Sequence, residues 1–134
     1  MDKQPTAIIV DDDKDLGEIF SIALNSVGFT TEHVNDSRQA LERITARHPD
    51  LVTLDMQMPY LSGDEILRQI RADEQLKSVK VILITANSRA SESKEIERLA
   101  DVILIKPITL SEITRFAKRL IQDRSSKPQP PPAE

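Results

Sequence analysis

The sequence predicts a doubly wound α/β domain: a five-stranded parallel sheet with helices on both faces. Three observations carry that reading. Five short runs rich in Ile, Val and Leu alternate with five stretches of helical period. Most of the runs are apolar almost without interruption, as strands covered on both faces must be. Four of the five end on a reactive polar group, and in one parallel sheet those ends share an edge.

The first strand is Ala7 to Val10, bounded by Pro5 and by Asp11-Asp12-Asp13. Leu16, Ile19, Phe20, Ala23, Leu24 and Val27 then recur at three- and four-residue steps, and Gly28 stops that helix. Thr30 to Val34 alternates as a second strand, and Asp36 or Ser37 caps a helix carrying Ala40, Leu41 and Ile44. Leu51 to Leu54 runs as a third strand straight into Asp55, followed by a loop through Met58-Pro59 and Ser62-Gly63. A third helix carries Ile66, Leu67 and Ile70. Val79 to Thr85 is the fourth strand, a fourth helix lies around Glu95 to Ala100, and Val102 to Ile105 is the fifth strand, ending at Lys106-Pro107. Thr109 or Ser111 caps a last helix with Ile113, Phe116, Ala117, Leu120 and Ile121 on its apolar face. Residues 1–124 are thus expected to form one domain, and 125–134, rich in proline, a flexible tail or the start of a linker.

Composition narrows the function. A chain of 134 residues suits a single core, and with 3% aromatic residues that core is aliphatic. The net charge of −4 and the lack of stacking platforms argue against direct nucleic-acid binding. There is no cysteine, so disulfide and thiolate chemistry are excluded. No apolar run reaches membrane-spanning length and the N-terminus lacks a signal-peptide pattern, so a cytoplasmic protein is expected. No glycine-rich phosphate loop follows any strand.

The strand ends bring Asp11, Asp12, Asp55, Thr85 and Lys106 to one cleft. Two carboxylates about 4 Å apart repel by about 4 kcal/mol at a protein surface, so this trio calls for a cation. Oxygen-only ligands select a hard ion, and Mg²⁺ suits them better than zinc, for which no His/Cys set exists. Three aspartates and one lysine sum to −2, which a divalent ion neutralises. A carboxylate beside such an ion, with an ammonium and a hydroxyl to receive phosphoryl oxygens, is equipment for phosphoryl transfer to a carboxylate. His33 and His48 lack paired ligand spacing and read as structural or solvated, and Asp13 reads as a helix cap.

Taken together, the acidic cluster after the first strand, Asp55-x-x-Met58-Pro59-x-x-x-Gly63, Thr85-Ala86 and Lys106-Pro107 resemble the receiver domain of bacterial response regulators over about residues 5–123. The resemblance implies a flavodoxin-like sheet of order 2-1-3-4-5 and phosphorylation of Asp55 by the phosphohistidine of a sensor histidine kinase or phosphotransfer protein. It implies that Asp12 binds Mg²⁺ directly, Asp11 mostly through water, Asp55 through one oxygen and Gln57 through its backbone carbonyl. Lys106 would pair with Asp55 and then with the phosphoryl group, and Thr85 would bond a phosphoryl oxygen and move on activation. Such domains also hydrolyse their own acyl phosphate, act on a downstream protein target, and exist as monomers or weak homodimers through the fourth helix, fifth strand and fifth helix. A stand-alone regulator of the chemotaxis type is the expectation, a piece of a longer protein the alternative.

Three positions depart from the family pattern. Ile103 stands where an aromatic switch residue is usual, Ile108 where a Phe commonly follows Lys-Pro, and Leu99 where a glycine commonly ends the fourth helix. Two other functions compete with the receiver reading. A haloacid-dehalogenase-type phosphatase also uses an aspartyl phosphate, but typically carries a second Asp where Gln57 stands. A docking module with an unphosphorylated site is the other.

Overall fold

A computed structural model of the chain describes residues 4–87, 89 and 93–125; the tail from residue 126 lies outside the described residues. The strands are β1 (Thr6–Val10), β2 (Thr30–Val34), β3 (Leu51–Asp55), β4 (Lys80–Thr85) and β5 (Val102–Ile105). Between and after them run α1 (Lys14–Ser26), α2 (Ala40–Arg47), α3 (Gly63–Ala72), α4 (Lys94–Leu99) and α5 (Leu110–Ser125). All neighbouring strands pair in parallel, in the order β2-β1-β3-β4-β5. The order reverses between β1 and β3, and their carboxyl ends flank the crevice where ligands of such sheets bind.

The continuous apolar strands divide by alternation. Ile8 and Val10 of β1, Val52 and Leu54 of β3, and Val81 and Leu83 of β4 face one layer, with Ala40, Ile44, Ile66, Leu67, Ile70 and Ile96 from α2, α3 and α4. Their neighbours Ala7, Ile9, Leu51, Ile82 and Ile84 face the other, with Phe20, Leu24, Ile113, Ala117 and Leu120 from α1 and α5. Each fully buried Leu or Ile contributes about 1.5–3 kcal/mol. Two such faces per strand hold the sheet, and therefore the strand ends, rigid.

The caps follow the expected chemistry with one exception. Asp13 accepts from Leu16 N at 3.1 Å to start α1. Ser62 with Glu65, and Thr109 with Glu112, close reciprocal capping boxes at α3 and α5. Of the two candidates before α2, Asp36 does the capping, accepting from Arg38 N at 2.9 Å at the head of a 3-10 turn over Ser37–Gln39; α2 itself begins at Ala40. The Ser37 hydroxyl points elsewhere. At the far end α5 runs to Ser125.

Gly17, inside α1, sits against a side chain distant in sequence. The His33 ring on β2 lies where a Cβ at Gly17 would be, and His33 Nε2 donates to the Asp11 carbonyl at 2.8 Å. Helix propensity alone makes Gly17→Ala favourable by about 1 kcal/mol. The buried contact reverses the sign: Gly17→Ala is expected to destabilise the fold by about 1–3 kcal/mol in urea unfolding, because the ring must leave its place.

Candidate functional site

Asp11 leaves β1 buried, at 2% exposure, its backbone N–H donating to Val34 O at 3.1 Å and its Oδ1 accepting from Asp13 N at 2.9 Å. Asp12 is exposed beside it. Asp55 ends β3 at 4% exposure, on the strand adjacent to β1. One carboxylate oxygen from each of the three lies within 4.8 Å of the others. Lys106, just past β5, reaches across with its Nζ 3.4 Å from Asp55 Oδ1. The contact is an ion pair, and Asp55 Oδ1 is buried with no hydrogen-bond partner.

Burial dominates the electrostatics. It pushes the Asp11 carboxyl up from 3.8 to about 6, against the hydrogen bond from Asp13, with the neighbouring Asp55 and Asp12 charges adding to the rise and Lys106 opposing it. Burial also raises the Asp55 carboxyl, although Lys106 and a backbone hydrogen bond from Gln57 pull it down. Both carboxyls therefore ionise less readily in the fold than in the unfolded chain. The stability each contributes is fully present below the unfolded value near 4 and is lost as pH rises through the folded value. In ion-free buffer the stability difference between wild type and Asp11→Asn is expected to move against the wild type from pH 4 to pH 6, by at most about 3 kcal/mol. Urea unfolding at several pH values checks it. The difference between the two proteins isolates Asp11 from groups such as Glu32, whose carboxyl the hydrogen bonds from Arg43 hold low.

The remaining predicted residues divide. Thr85 is fully buried at the end of β4, its hydroxyl engaged by its own loop: it accepts from Asn87 N at 3.0 Å and donates to Asn87 O at 3.3 Å. Gln57 is exposed, and its side-chain oxygen accepts weakly from Ala86 N at 3.5 Å, linking the loops after β3 and β4. Ile103 stands apart from the cluster. It pairs with Leu83 and packs into the layer beneath α4, while Thr85 pairs with Ile105.

Several supporting residues escaped the sequence reading. The end of α4, where Leu99 replaces a glycine, is closed by Arg71 of α3, whose Nε donates to Leu99 O at 2.8 Å and whose Nη2 pairs with Asp101 at 2.9 Å. Gly63 approaches β3 so closely that a Cβ would stand 2.5 Å from Asp55 O. The glycine was visible in the sequence, but the backbone it touches was not.

The trio fits a hard divalent cation. Its donors are all carboxylate oxygens, three of them converge, and a buried oxygen of Asp55 lacks a hydrogen-bond donor. Among the described residues no helix is long and apolar enough to cross a membrane.

A five-stranded parallel sheet in this order, with an acidic trio and a lysine at its switch point, defines a receiver domain. The family model of the response regulator receiver domain matches residues 7–118, and the chain belongs to that family. Among curated relatives, the DNA-binding response regulator MtrA of Mycobacterium tuberculosis is 30% identical over 122 residues, covering 90% of this chain and 52% of the relative. The phosphate regulon transcriptional regulatory protein PhoB of Pseudomonas aeruginosa is 31% identical over 120 residues, covering 87% and 52%. The chain spans about half the length of these relatives. Among solved structures, a CheY-like receiver domain from Methylobacillus flagellatus superposes with a TM-score of 0.79 at 27% identity, covering 88% of this chain and 99% of that one. A sensor protein from Polaromonas sp. JS666 gives 0.83 at 25%, covering 92% and 100%.

Proposed function

We propose that this receiver domain takes a phosphoryl group onto Asp55, with Mg²⁺ held by the acidic trio, from the phosphohistidine of a sensor kinase or phosphotransfer protein, and thereby alters a protein-binding surface. The observation that carries the reading is the Asp55 carboxylate itself. It is buried, lacks a hydrogen bond on Oδ1, faces Lys106 at 3.4 Å, and shares its pocket with Asp11 and Asp12. Asp11, Asp12, Asp55 and the Gln57 carbonyl are the residues assigned to the ion, which when bound supplies charge neutralisation of the phosphoryl oxygens.

In the transfer, an Asp55 oxygen forms a bond to phosphorus while the donor's N–P bond breaks, its electron pair returning to the imidazole nitrogen. Lys106 offsets the Asp55 carboxylate charge before transfer and holds a phosphoryl oxygen after it; Thr85, once its hydroxyl leaves Asn87, receives another. Water later hydrolyses the acyl phosphate and resets Asp55. The partner meets the rim beside Lys106, where Leu16, Phe20, Pro107 and Ile108 line an apolar recess and Ile19, Ile22 and Leu110 are exposed nearby. Residues 1–124 form the receiver unit and 125–134 a tail or linker; a weak homodimer through α4, β5 and α5 belongs to the same reading.

Intact mass after incubation with Mg²⁺ and acetyl phosphate tests it. One added phosphoryl group, dependent on Mg²⁺, is expected. A folded protein that gains no mass and binds no Mg²⁺ would leave a docking module instead, and turnover of varied phosphomonoesters would make it a phosphatase.

A further inference from the structure

The loop that leaves Asp55 is held at two points, and the acidic site accounts for only one. At its base, Gly63 N donates to Met56 O at 2.8 Å. At its tip, Tyr60 adopts φ 75°, a left-handed conformation that a side chain this large occupies only at a cost. The buried Ser37 secures it. Its hydroxyl donates to Pro59 O at 2.5 Å and accepts from Leu61 N at 3.0 Å, so it grips the chain on either side of Tyr60. Arg38 completes the hold: its guanidinium lies 3.8 Å from the Tyr60 ring centre and is forked onto Asp36 at 3.0 and 2.9 Å.

These residues surround one side of the acidic site. Ser37, Arg38, Pro59 and Tyr60 line a recess whose wall also includes Asp12. Strain of this kind persists only where the surroundings over-determine it, and it gathers at functional sites. Because Asp36 caps the turn after β2, the Ser37 hydroxyl is spared for the loop.

We propose that Ser37 is a positioning residue for the acidic centre: by holding Tyr60 in its left-handed conformation it fixes the loop leaving Asp55 and so sets the affinity of the trio for Mg²⁺. The inference rests on the proposed function above. Without the hydroxyl, the Pro59 carbonyl and Leu61 N–H keep only their mutual hydrogen bond at 3.0 Å, and Tyr60 relaxes toward negative φ. The span from Met56 to Ser62, Gln57 included, then shifts relative to Asp12. Outer partners that orient metal-binding groups typically change metal affinity by about 10–100-fold.

Calorimetric titration with Mg²⁺ of the full chain, in four forms, tests this. Ser37→Ala is expected to weaken binding about tenfold, at the low end of that range. Adding Tyr60→Gly to Ser37→Ala restores most of the loss, because glycine takes positive φ without strain. Tyr60→Gly alone binds at least as tightly as wild type. A merely structural serine would not be rescued by a second substitution that removes more contacts. Wild-type affinity in Ser37→Ala, no recovery in the double variant, or weakened binding in Tyr60→Gly each overturns the inference while leaving the proposed function standing. Should Ser37→Ala fail to fold, weakened binding in Tyr60→Gly still overturns the inference. A wild type that takes no Mg²⁺ overturns both.

Discussion

Asp55→Asn is expected to abolish the phosphoryl adduct completely and to make the ion-free protein more stable, not less. The first effect follows because the amide has no nucleophilic oxygen anion and leaves Lys106 without a charge to balance. The second follows from burial. The Asp55 carboxyl is raised above its ordinary value even with Lys106 beside it, so the ionised form is held at a cost in the ion-free fold. The amide removes that cost and the repulsion from Asp11 and Asp12, while forfeiting the Lys106 pair. The net gain is on the order of 1 kcal/mol, since the partly exposed Lys106 recovers water. Intact mass reads the first effect and urea unfolding at pH 7 without divalent ions the second. Loss of the adduct together with unfolding would mean that Asp55 is structural.

Gly63→Ala is expected to lower stability instead, by about 3 kcal/mol, and to slow phosphorylation by acetyl phosphate about 100-fold. The new Cβ would stand 2.5 Å from Asp55 O and 2.8 Å from Met56 Cα. Both are backbone atoms, so nothing flexible gives way. Relief requires α3 to back off from β3, and that breaks the Gly63 N to Met56 O hydrogen bond and tilts Asp55 out of its alignment with Lys106. Unfolding in urea reads the first cost, and the rate of mass gain in the surviving folded protein reads the second. An alanine variant as stable and as fast as wild type would show that α3 is free to slide at this point.

These two substitutions mark what was readable in advance. Asp11, Asp12, Asp55, Thr85 and Lys106 each stand at or just past the end of an apolar run, and a parallel sheet places such ends on one edge. The meeting of Asp11, Asp12, Asp55 and Lys106 was therefore visible as soon as the runs were recognised as strands. Gly63 was visible only as part of a loop motif, because its reason is a backbone contact on another element. The same holds for Gly17 and His33, which meet across 16 residues of sequence, and for Arg71, which closes the helix end that Leu99 leaves without a glycine. Ser37 was read as a possible helix cap, a local role that Asp36 fills instead, and so its hold on Pro59 and Leu61 went unseen.

What the amino-acid sequence determines by itself is the set of elements, their class and the chemistry at the strand ends. Those depend on periodicity, caps and turn residues, which act over a few positions. What only the tertiary structure decides is how those ends are held: which backbone a glycine must clear, which arginine finds a helix terminus, which hydroxyl reaches across to the loop beyond Asp55. Each of these joins groups distant in the chain. Their meeting depends on the packed distance between elements, which no local pattern encodes.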